Sequence, residues 1–588
     1  MHSKLWLVIA IILMSVLTAW ADTTFVTNGI VNGNWTAEHS PYMIRTDIMV
    51  LGGNTLTIGA GVTVYFDGYY ALTVYGSVQA IGTEQDSIYF TTDTLANPDQ
   101  YRHVSFLSAG SSELAYCVIE HARAVEDAAP GYDGGGLYVD VAAPTIRHCS
   151  IRHNHATAGG AVYATGVVSL VMTDCDISEN WAYNVGGGIV ANNIVLQSCT
   201  MRENQAGNEA GGVLCPTARA TQFTGCDFRD NYALENGGAI EIQYAAGITP
   251  VTIDHCTFTG NWIRQSGGGA VRIGGGRTIR IMNSQFLDNA AVGFGWASGG
   301  AIDVESATVT MDHCLFARNY AYDNGGAVYA GSQAHAILTQ CTVAGNDVDG
   351  YWGAQISGMD CDSLVINSCI IAFSTAGHIG LSAYNLQPRD FSLHNTLFYA
   401  NGDSDLNSGN QSVRPLGFGQ LVRVNRNHDS TDAYGNLFVN PLFADTATGN
   451  YHLTATSPCV NAGDSTLPLD LDSSIADIGA FPYEVPSAVT PHSAPTPRVF
   501  SLACYPNPFN SSATISFDLP QAAMVEVRIF NVVGQHVASL AGEPRAAGQQ
   551  RLLWNGTGND GAPLSSGVYL CRVDAGQIHA TTKVVLIR

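Results

Sequence analysis

Short runs of alternating apolar and polar residues, separated by glycine-containing turns, recur along the whole chain. The runs at residues 64–66 and 88–91 are typical, and no stretch keeps the 3.6-residue period of an amphipathic helix. Alternation with a period of two places every second side chain on the same face of a strand. The pattern therefore predicts an all-β protein.

Between residues 117 and 369 the runs form a two-part repeat. One part is Gly-Gly followed by a short apolar strand, as at Gly159, Gly237 and Gly299. The other part is a strand of the form Cys-x-apolar-x-x-Asn, in which serine replaces cysteine once, at Ser284. The cysteines are Cys149, Cys175, Cys199, Cys226, Cys256, Cys314 and Cys341, and the asparagines are Asn154, Asn180, Asn204, Asn231, Asn261, Asn289 and Asn319.

This repeat has the period of a stacked solenoid. Cys117 and Cys369 are 252 residues and nine repeats apart, a mean of 28 residues per repeat, and strands and glycine turns at such a period indicate stacked coils. Equivalent residues of successive coils should lie above one another at about 4.8 Å. We expect each cysteine, and the apolar residue two positions later, to face the interior. The asparagine should lie at the bend, where it tolerates left-handed geometry and its amide can bond to neighbouring coils.

The chain has 14 cysteines, which in an exported protein can form a disulfide framework. Eight of them, between residues 117 and 341, share the inward phase of the repeat. Free cysteine is a small and mostly buried side chain. We therefore predict that most of the cysteines are packed in the core.

The paired signatures Gly-Gly-Ala-[Ile/Val] and Phe-x-x-Asn, the latter at residues 228–231, 258–261, 286–289 and 316–319, resemble the polymorphic outer-membrane proteins of chlamydiae. The resemblance covers about residues 117–375 and implies a surface-displayed β-helix adhesin. Residues 22–104 and 401–485 resemble the opening and closing segments of secreted, pectin-lyase-like proteins. The expected fold is thus a single-stranded right-handed parallel β-helix, with capping coils at 22–104, repeat coils at 105–400 and a closing segment at 401–485.

The first 21 residues read as a secretory signal peptide. Lys4 precedes an apolar run at residues 5–17, and Ala19 and Ala21 are the small residues that a signal peptidase requires, so we predict cleavage before Asp22. The apolar run is shorter than the roughly 20 residues of a spanning helix, and we expect no transmembrane span.

A proline-rich linker is predicted at residues 486–498, and a small β-sandwich at 499–588. The sandwich resembles the type A C-terminal sorting domain of the type IX secretion system, in the motif at residues 505–510, in Trp554 and Gly556, and in the final strand. Part of it also resembles a flagellar hook-cap immunoglobulin-like module. The first resemblance implies passage through the periplasm, recognition by outer-membrane secretion machinery, and a secreted or outer-surface location.

The net charge of −24 repels phosphate backbones, so we expect no nucleic-acid partner.

The functional residues should lie on outward side chains and loops, because the interior of a β-helix is packed. We consider two outward columns of residues.

The first column follows the repeat asparagine by one position. It contains His155, Gln205 and Ala290, and the aromatic residues Trp181, Tyr232, Trp262 and Tyr320. Aromatic faces at solenoid spacing bind sugar rings by dispersion, so these four aromatic residues are candidate ligands for an extracellular polysaccharide or cell surface. The alternative is that the rings pack on one another.

The second column lies on the Gly-Gly strand. Its outward positions are expected to be Tyr138, Tyr163, Cys215, Glu241, Arg272, Asp303 and Tyr329. Carboxylates around an arginine, here Glu241, Arg272 and Asp303, occur in β-helix polysaccharide lyases. The alternative is a surface ion-pair ladder worth at most about 1 kcal/mol per pair.

Asp470, Asp472 and Asp477 are weak candidates for binding Ca²⁺, and turn capping is the alternative for them. No other cofactor is expected.

The favoured function is non-catalytic binding of polysaccharide or of a neighbouring cell. A polysaccharide lyase or glycoside hydrolase, and a purely structural surface spacer, are the alternatives.

Overall fold

The chain divides into two compact units at residues 484 and 485, and each is described separately. In this computed structural model the first unit is described over residues 23–483, with gaps at 98–99, 108–109, 125–132, 167–168, 246–249, 277, 294–296, 351–353, 376–377 and 409–412. The second is described over residues 502–586, with gaps at 506–512, 520–522, 532–534, 546–547, 560–561 and 576–577. The predicted signal peptide and proline-rich linker lie outside the described residues.

The first unit is a parallel β-solenoid, which confirms the predicted β-helix. Its described residues form three long sheets, A, B and C, and a shorter sheet D, and each complete turn passes through C, A, D and B in that order. Sheet A has 15 strands: Thr24–Val26, Tyr42–Ile44, Thr63–Phe66, Ile88–Thr91, Cys117–Glu120, Ser150–Arg152, Asp176–Ser178, Thr200–Arg202, Asp227–Arg229, Thr257–Thr259, Gln285–Leu287, Leu315–Ala317, Thr342–Ala344, Ile370–Ala372 and Leu397–Tyr399. Sheet B has 14 strands: Ile48–Val50, Leu72–Val74, Val104–Phe106, Leu137–Val139, Val162–Ala164, Ile189–Ala191, Val213–Cys215, Ile240–Ile242, Val271–Ile273, Ile302–Val304, Val328–Ala330, Ala354–Met359, Ile379–Tyr384 and Ser404–Asn407.

Sheet C also has 14 strands in the described part of the chain: Gly33–Trp35, Thr55–Ile58, Ser77–Ile81, Glu113–Ala115, Thr145–Arg147, Leu170–Thr173, Ile194–Gln197, Gln222–Thr224, Val251–Asp254, Thr278–Met282, Thr308–Asp312, His335–Thr339, Ser363–Asn367 and Phe391–His394. The described strands of sheet D are nine short ones: Arg123–Ala124, His155–Ala158, Trp181–Val185, Gln205–Ala206, Tyr232–Ala233, Trp262–Ile263, Ala290–Ala291, Tyr320–Ala321 and Asp347–Val348. Short 3-10 turns lie at Ala37–His39 and Thr446–Thr448.

The interior of the solenoid is a continuous apolar core built from like residues in successive coils. On sheet A the rings of Phe228, Phe258, Phe286 and Phe316 stack with centroids 4.7, 4.6 and 5.0 Å apart. All four rings are fully buried. In-register stacking of identical side chains therefore supplies both apolar burial and ring contacts from coil to coil.

The repeat cysteines form a single internal file. Cys149, Cys175, Cys199 and Cys226 are each 1% exposed, and each thiol donates to a backbone carbonyl of the preceding coil, at 3.4 to 3.8 Å. The thirteen cysteines whose side chains the structure describes are free and buried. At Ser284 the hydroxyl donates to the carbonyl of Met282 at 2.7 Å, so serine fits the same position.

The repeat asparagines form a ladder, but the left-handed residue of the bend is the one before each asparagine. His153, Glu179 and Glu203 have φ between 54° and 56°, whereas Asn154 and Asn204 are fully buried. Each asparagine side chain donates both to a carbonyl of the preceding coil and to the asparagine of the next coil. These bonds offset the cost of left-handed backbone at a non-glycine residue.

Residues beyond the last strand of sheet B first cover the end of the solenoid. Leu437 continues the pairing of sheet A, because its N–H donates to the carbonyl of Thr396 at 3.0 Å and its carbonyl accepts from Phe398 at 2.8 Å. Phe418 and Phe438 pack on the ring of Phe398. The terminal coil thus does not present a bare apolar end.

The chain then turns back along the outer surface of sheet A. One short antiparallel pair, Arg423–Val424 with Ser430–Thr431, precedes this turn, and a second, Phe443–Asp445 with Asn450–Leu453, lies within the returning segment. The N–H of Ala480 donates to Thr342 Oγ1 and that of Asp464 to Ser368 Oγ, each at 2.9 Å. Tyr451 and Ala480 cover Leu315 and Ala344, so this segment buries apolar residues on the outside of the sheet.

The second unit is an antiparallel β-sandwich, which confirms the immunoglobulin-like fold expected at the C-terminus. One sheet has the order Leu502–Tyr505, Ala513–Leu519, Gly548–Trp554, and the other His536–Arg545, Ala523–Asn531, Gly567–Ala575, Ile578–Leu586. Alternate residues of both sheets, including Ile515, Val527 and Val573, form its core around Trp554. Side chains alternate between the two faces of a strand, so every second residue of these strands faces the core.

Candidate ligand-binding surface

Sheet D places one residue per coil in an outward row, which we call the aromatic file. The strand register aligns His155, Trp181, Gln205, Tyr232, Trp262, Ala290 and Tyr320, the positions that the sequence predicts for one column. The following residue of each strand points inward and is small or aliphatic, as with the fully buried Ala233, Ile263 and Ala291. The residues of the file therefore lie on the outer face of sheet D, while the small or aliphatic residues that follow them pack in the interior.

The aromatic residues of the file are accessible on the surface of the solenoid. Trp181 is 36% exposed and Trp262 is 39% exposed. Tyr183, which the sequence analysis did not single out, is 72% exposed and contacts Trp181 edge-on, with centroids 6.0 Å apart. The alternation of side chains along the strand could have identified Tyr183 as outward, because it lies two residues after Trp181 and therefore on the same face.

The two following aromatic residues stack across neighbouring coils. The rings of Tyr232 and Trp262 have centroids 4.2 Å apart and an interplanar angle of 36°. An open depression of about 440 Å³ adjoins them, lined by Tyr232, Trp262, Arg264, Gln265, Val292 and Gly293. Further along the file, the Tyr320 hydroxyl donates to Asp349 Oδ2 at 2.8 Å. The rings contact each other, as the alternative interpretation expects, and they still leave part of their surface exposed.

The second predicted column lies on sheet B, with one correction. The register aligns Leu214, Glu241, Arg272, Asp303 and Tyr329 on successive coils. Cys215, which the sequence predicted to be outward, pairs with Ile242 and is fully buried in the core. The assignment was wrong by one residue because Ala210, with φ 56°, takes the left-handed position that Gly237 holds in the next coil, so the Gly-Gly pair lies one position later here. A shift of one position reverses the face.

The charged residues of this column are buried although they lie on the outer face of sheet B. Glu241 is 4% and Asp303 is 5% exposed. Arg272 donates to Asp303 Oδ1 and Glu305 Oε2, each at 2.7 Å. A Cβ at Gly267 would lie 1.7 Å from Asp303 Oδ2, so the carboxylate packs against this turn. The pair is therefore not an exposed surface ladder.

Burial governs the protonation of this cluster. It raises the pKa of Glu241 to about 8, with the nearby Glu209 carboxylate raising it further and Arg272 opposing the shift. Burial likewise raises the pKa of Asp303 to about 7, against the lowering effect of Arg272. Among the described residues Glu241 Oε2 has no hydrogen-bond partner. A substrate would reach either carboxyl only after displacing the covering turns, so this arrangement offers no open catalytic pair.

The three aspartates considered for Ca²⁺ bind their own turns. Asp470 accepts from the N–H of Asp477, Asp472 accepts from Ser474, and Asp477 accepts from Asn461 and Tyr483. Within the described ranges, no group of three or more His, Cys, Asp or Glu residues is arranged to hold a metal ion. These hydrogen bonds are those of turn capping.

A groove of about 780 Å³ lies between sheet C and the segment that returns along the solenoid. Its floor includes Arg280, Met282 and Ile337, and its opposite wall includes Leu469 and Asp470. Burial and the neighbouring Asp477 raise the pKa of Asp470 to about 6. The sequence could not reveal this groove, because its two walls are far apart along the chain and meet only through the return of the segment.

Stacked coils with a ladder of buried asparagines and an outward aromatic file define a parallel β-solenoid. The family model described as "right handed beta helix region" matches residues 100–286 and 239–414, which together are more than half of the chain. The chain belongs to this right-handed β-helix family. No curated protein matches it.

The C-terminal unit matches the family model of the FlgD Ig-like domain over residues 507–577. Among solved structures, the chain resembles one described as PorZ, an essential bacterial surface component of the type-IX secretion system of Porphyromonas gingivalis. The identity is 23% and the TM-score 0.13, over 17% of this chain and 13% of that one. A match this small carries no argument about function. No helix among the described residues has the length and apolar character needed to cross a membrane.

Proposed function

We propose that this protein is exported to the cell surface or beyond, and that it binds polysaccharide, in the manner of an adhesin, through the aromatic file of sheet D. The observation that carries the proposal is the stack of Tyr232 and Trp262, with Trp262 39% exposed beside an open depression. Exposed aromatic surface costs solvation free energy, and a sugar ring that covers it recovers dispersion and apolar contacts.

Two further features support a binding role. The file is built on paired strands of a rigid stack, so its rings are held at fixed spacing before any ligand arrives. The depression also brings Arg264 and Gln265 next to Trp262, and both side chains carry hydrogen-bond donors suited to sugar hydroxyls. A few polar groups beside an aromatic surface are typical of small-ligand sites.

Export is proposed from the two ends of the chain. The sequence of residues 1–21 has the form of a signal peptide. The C-terminal unit matches an immunoglobulin-like family model, and we interpret its sequence as similar to a type IX sorting domain. We propose that this unit directs the solenoid through the outer membrane. In a host with that secretion system, the full chain should be degraded by protease added to intact cells, or be found in the medium. Retention of the full chain in the periplasm would contradict the proposal.

The binding proposal is tested by retention of the purified protein on insoluble cellulose, chitin and xylan. Replacing Trp181, Tyr232 and Trp262 together by alanine should lower retention about tenfold or more, since each aromatic contact contributes about 0.5–1.5 kcal/mol. The matched control replaces Tyr75, Tyr89 and Tyr244, which are 38–54% exposed and lie outside the file. Wild-type protein that none of the three glycans retains, or equal loss in both triple variants, would contradict the proposal.

A further inference from the structure

The aromatic file has a gap at Ala290. Trp262, Ala290 and Tyr320 occupy the same outward position on three successive strands of sheet D. The residue next to Ala290, Ala291, is fully buried and confirms that position 290 is on the outer face. An alanine between two aromatic residues leaves the space above its methyl group without a ring.

The spacing of the coils sets the width of the gap. The rings of Tyr232 and Trp262, on adjacent coils, have centroids 4.2 Å apart and planes inclined by 36°, so they overlap along the stacking direction. Coils follow one another at about 4.8 Å, and positions 262 and 320 are therefore about 10 Å apart. Carbon atoms in contact are separated by about 3.5–4.0 Å. This spacing leaves room for one ring in contact with both neighbours.

The two walls of the gap are each held in place. Trp262 is supported on its far side by Tyr232, and the hydroxyl of Tyr320 is hydrogen-bonded to Asp349. The depression next to Trp262 continues over Val292 and Gly293 on the coil of Ala290. A Cβ at Gly293 would lie 1.5 Å from the carbonyl of Arg264, so only glycine permits this close approach of the two coils.

We propose that the gap at Ala290 is a slot for a single pyranose ring, inserted between Trp262 and Tyr320. A ring that enters edge-on leaves only its outer edge free to continue a chain. The slot therefore selects a terminal or branch sugar of a glycan, with Arg264 and Gln265 at the side to donate hydrogen bonds. This inference rests on the proposed polysaccharide binding and adds to it the part of the glycan that is recognised.

The test is to fill the slot. Ala290→Phe completes the aromatic file and should lower retention on cellulose, chitin or xylan at least tenfold. The matched control is Gln222→Phe, which adds a ring at an exposed position of sheet C, outside the file. It should leave retention unchanged. Methyl β-glycosides of glucose, N-acetylglucosamine and xylose should compete for the wild-type protein, because each is a terminal ring.

The outcomes separate this inference from the proposed function. Ala290→Phe protein that binds as well as wild type, while loss of Trp262 abolishes binding, would refute the slot and leave the file as the site. A wild-type protein that binds none of the glycans would refute both. Thermal unfolding checks that Ala290→Phe folds. Tyr320→Ala, which removes the far wall, should lower retention independently, and normal retention would also contradict the slot.

Discussion

The side-chain amide of Asn231 donates to Oδ1 of Asn261 at 2.9 Å, and the same amide donates to the carbonyl of Met201 in the preceding coil at 2.8 Å. Asn261 repeats this pattern with Asn289 and Phe228, each at 2.9 Å. One buried side chain per coil thus links three coils. Each asparagine of the ladder is hydrogen-bonded to the coil before it and to the coil after it. The strand of sheet D begins at the next residue, so the ladder also aligns the outward positions of that sheet.

Removing one asparagine of this ladder should destabilise the solenoid. Asn261→Ala removes the acceptor of the Asn231 backbone N–H and of one Asn231 side-chain N–H, and it removes a donor to the carbonyl of Phe228. Each buried group left unsatisfied costs about 1–3 kcal/mol. Thermal unfolding followed by circular dichroism should show a clearly lower midpoint. The control is Gln205→Ala on the exposed face of sheet D, which should change the midpoint little. Equal midpoints for both variants would show that the ladder does not contribute to stability.

The folded protein should become less stable as the pH rises, because of Glu241. Its pKa is about 8 in the folded protein against an ordinary value of 4.5, because burial disfavours the charged form. The folded state therefore holds a proton that the unfolded state releases, and stability falls as the pH increases from about 4.5 to about 8. Glu209, Glu235, Arg272 and Asp303 set the charge around it.

Glu241→Gln should make the unfolding midpoint less dependent on pH in this window and raise it at the upper end. Part of the slope remains, since the pKa of Asp303 is also raised, to about 7. Glu203→Gln, at an exposed carboxylate, serves as the control and should keep the wild-type slope. A wild-type midpoint that rises between these pH values would contradict the assignment.

Breaking the buried ion pair should cost much more than breaking an exposed one. Arg272→Ala leaves Asp303 buried without its partner, which typically costs about 3–5 kcal/mol. Arg318→Ala removes an arginine that binds Asp288 through two hydrogen bonds, but both of these side chains are more than 40% exposed. Exposed pairs contribute about 0–1 kcal/mol. Chemical unfolding of the two variants should therefore show a large and a small loss, and similar losses would disprove the difference in burial.

The cysteines of the internal file should react as free thiols with a thiol reagent. Denatured, unreduced protein should react at thirteen or more cysteines, because the thirteen whose side chains the structure describes are free thiols. Recovery of four or more disulfides would contradict the packed-core interpretation. Cys226→Ser should cost about 1 kcal/mol or less, since Ser284 already occupies the same place in another coil and accepts from the N–H of Cys256 at 3.1 Å. Cys226→Leu should cost more, because it overfills the core.

The sequence was sufficient to predict the stacked coils. The recurrence of Cys-x-apolar-x-x-Asn and the two-residue alternation imply an interior face, and a repeat implies that equivalent residues stack. The positions of Trp181, Tyr232 and Trp262 in one row followed from the same argument. The asparagine was assigned to the left-handed bend, whereas the preceding residue occupies it, because propensity alone does not distinguish two adjacent turn residues.

The sequence by itself determined the length of the repeat and the residues that face inward. A repeated pattern of apolar residues is buried only when equivalent residues of successive coils stack in the interior. Only the tertiary structure decided which outward residues meet solvent. Glu241 and Trp262 are both outward by alternation, yet Glu241 is 4% and Trp262 is 39% exposed. The difference comes from the turns and neighbouring side chains that cover Glu241 on sheet B and leave Trp262 on sheet D partly open. Such coverage depends on contacts between residues distant in sequence, which a local pattern does not encode.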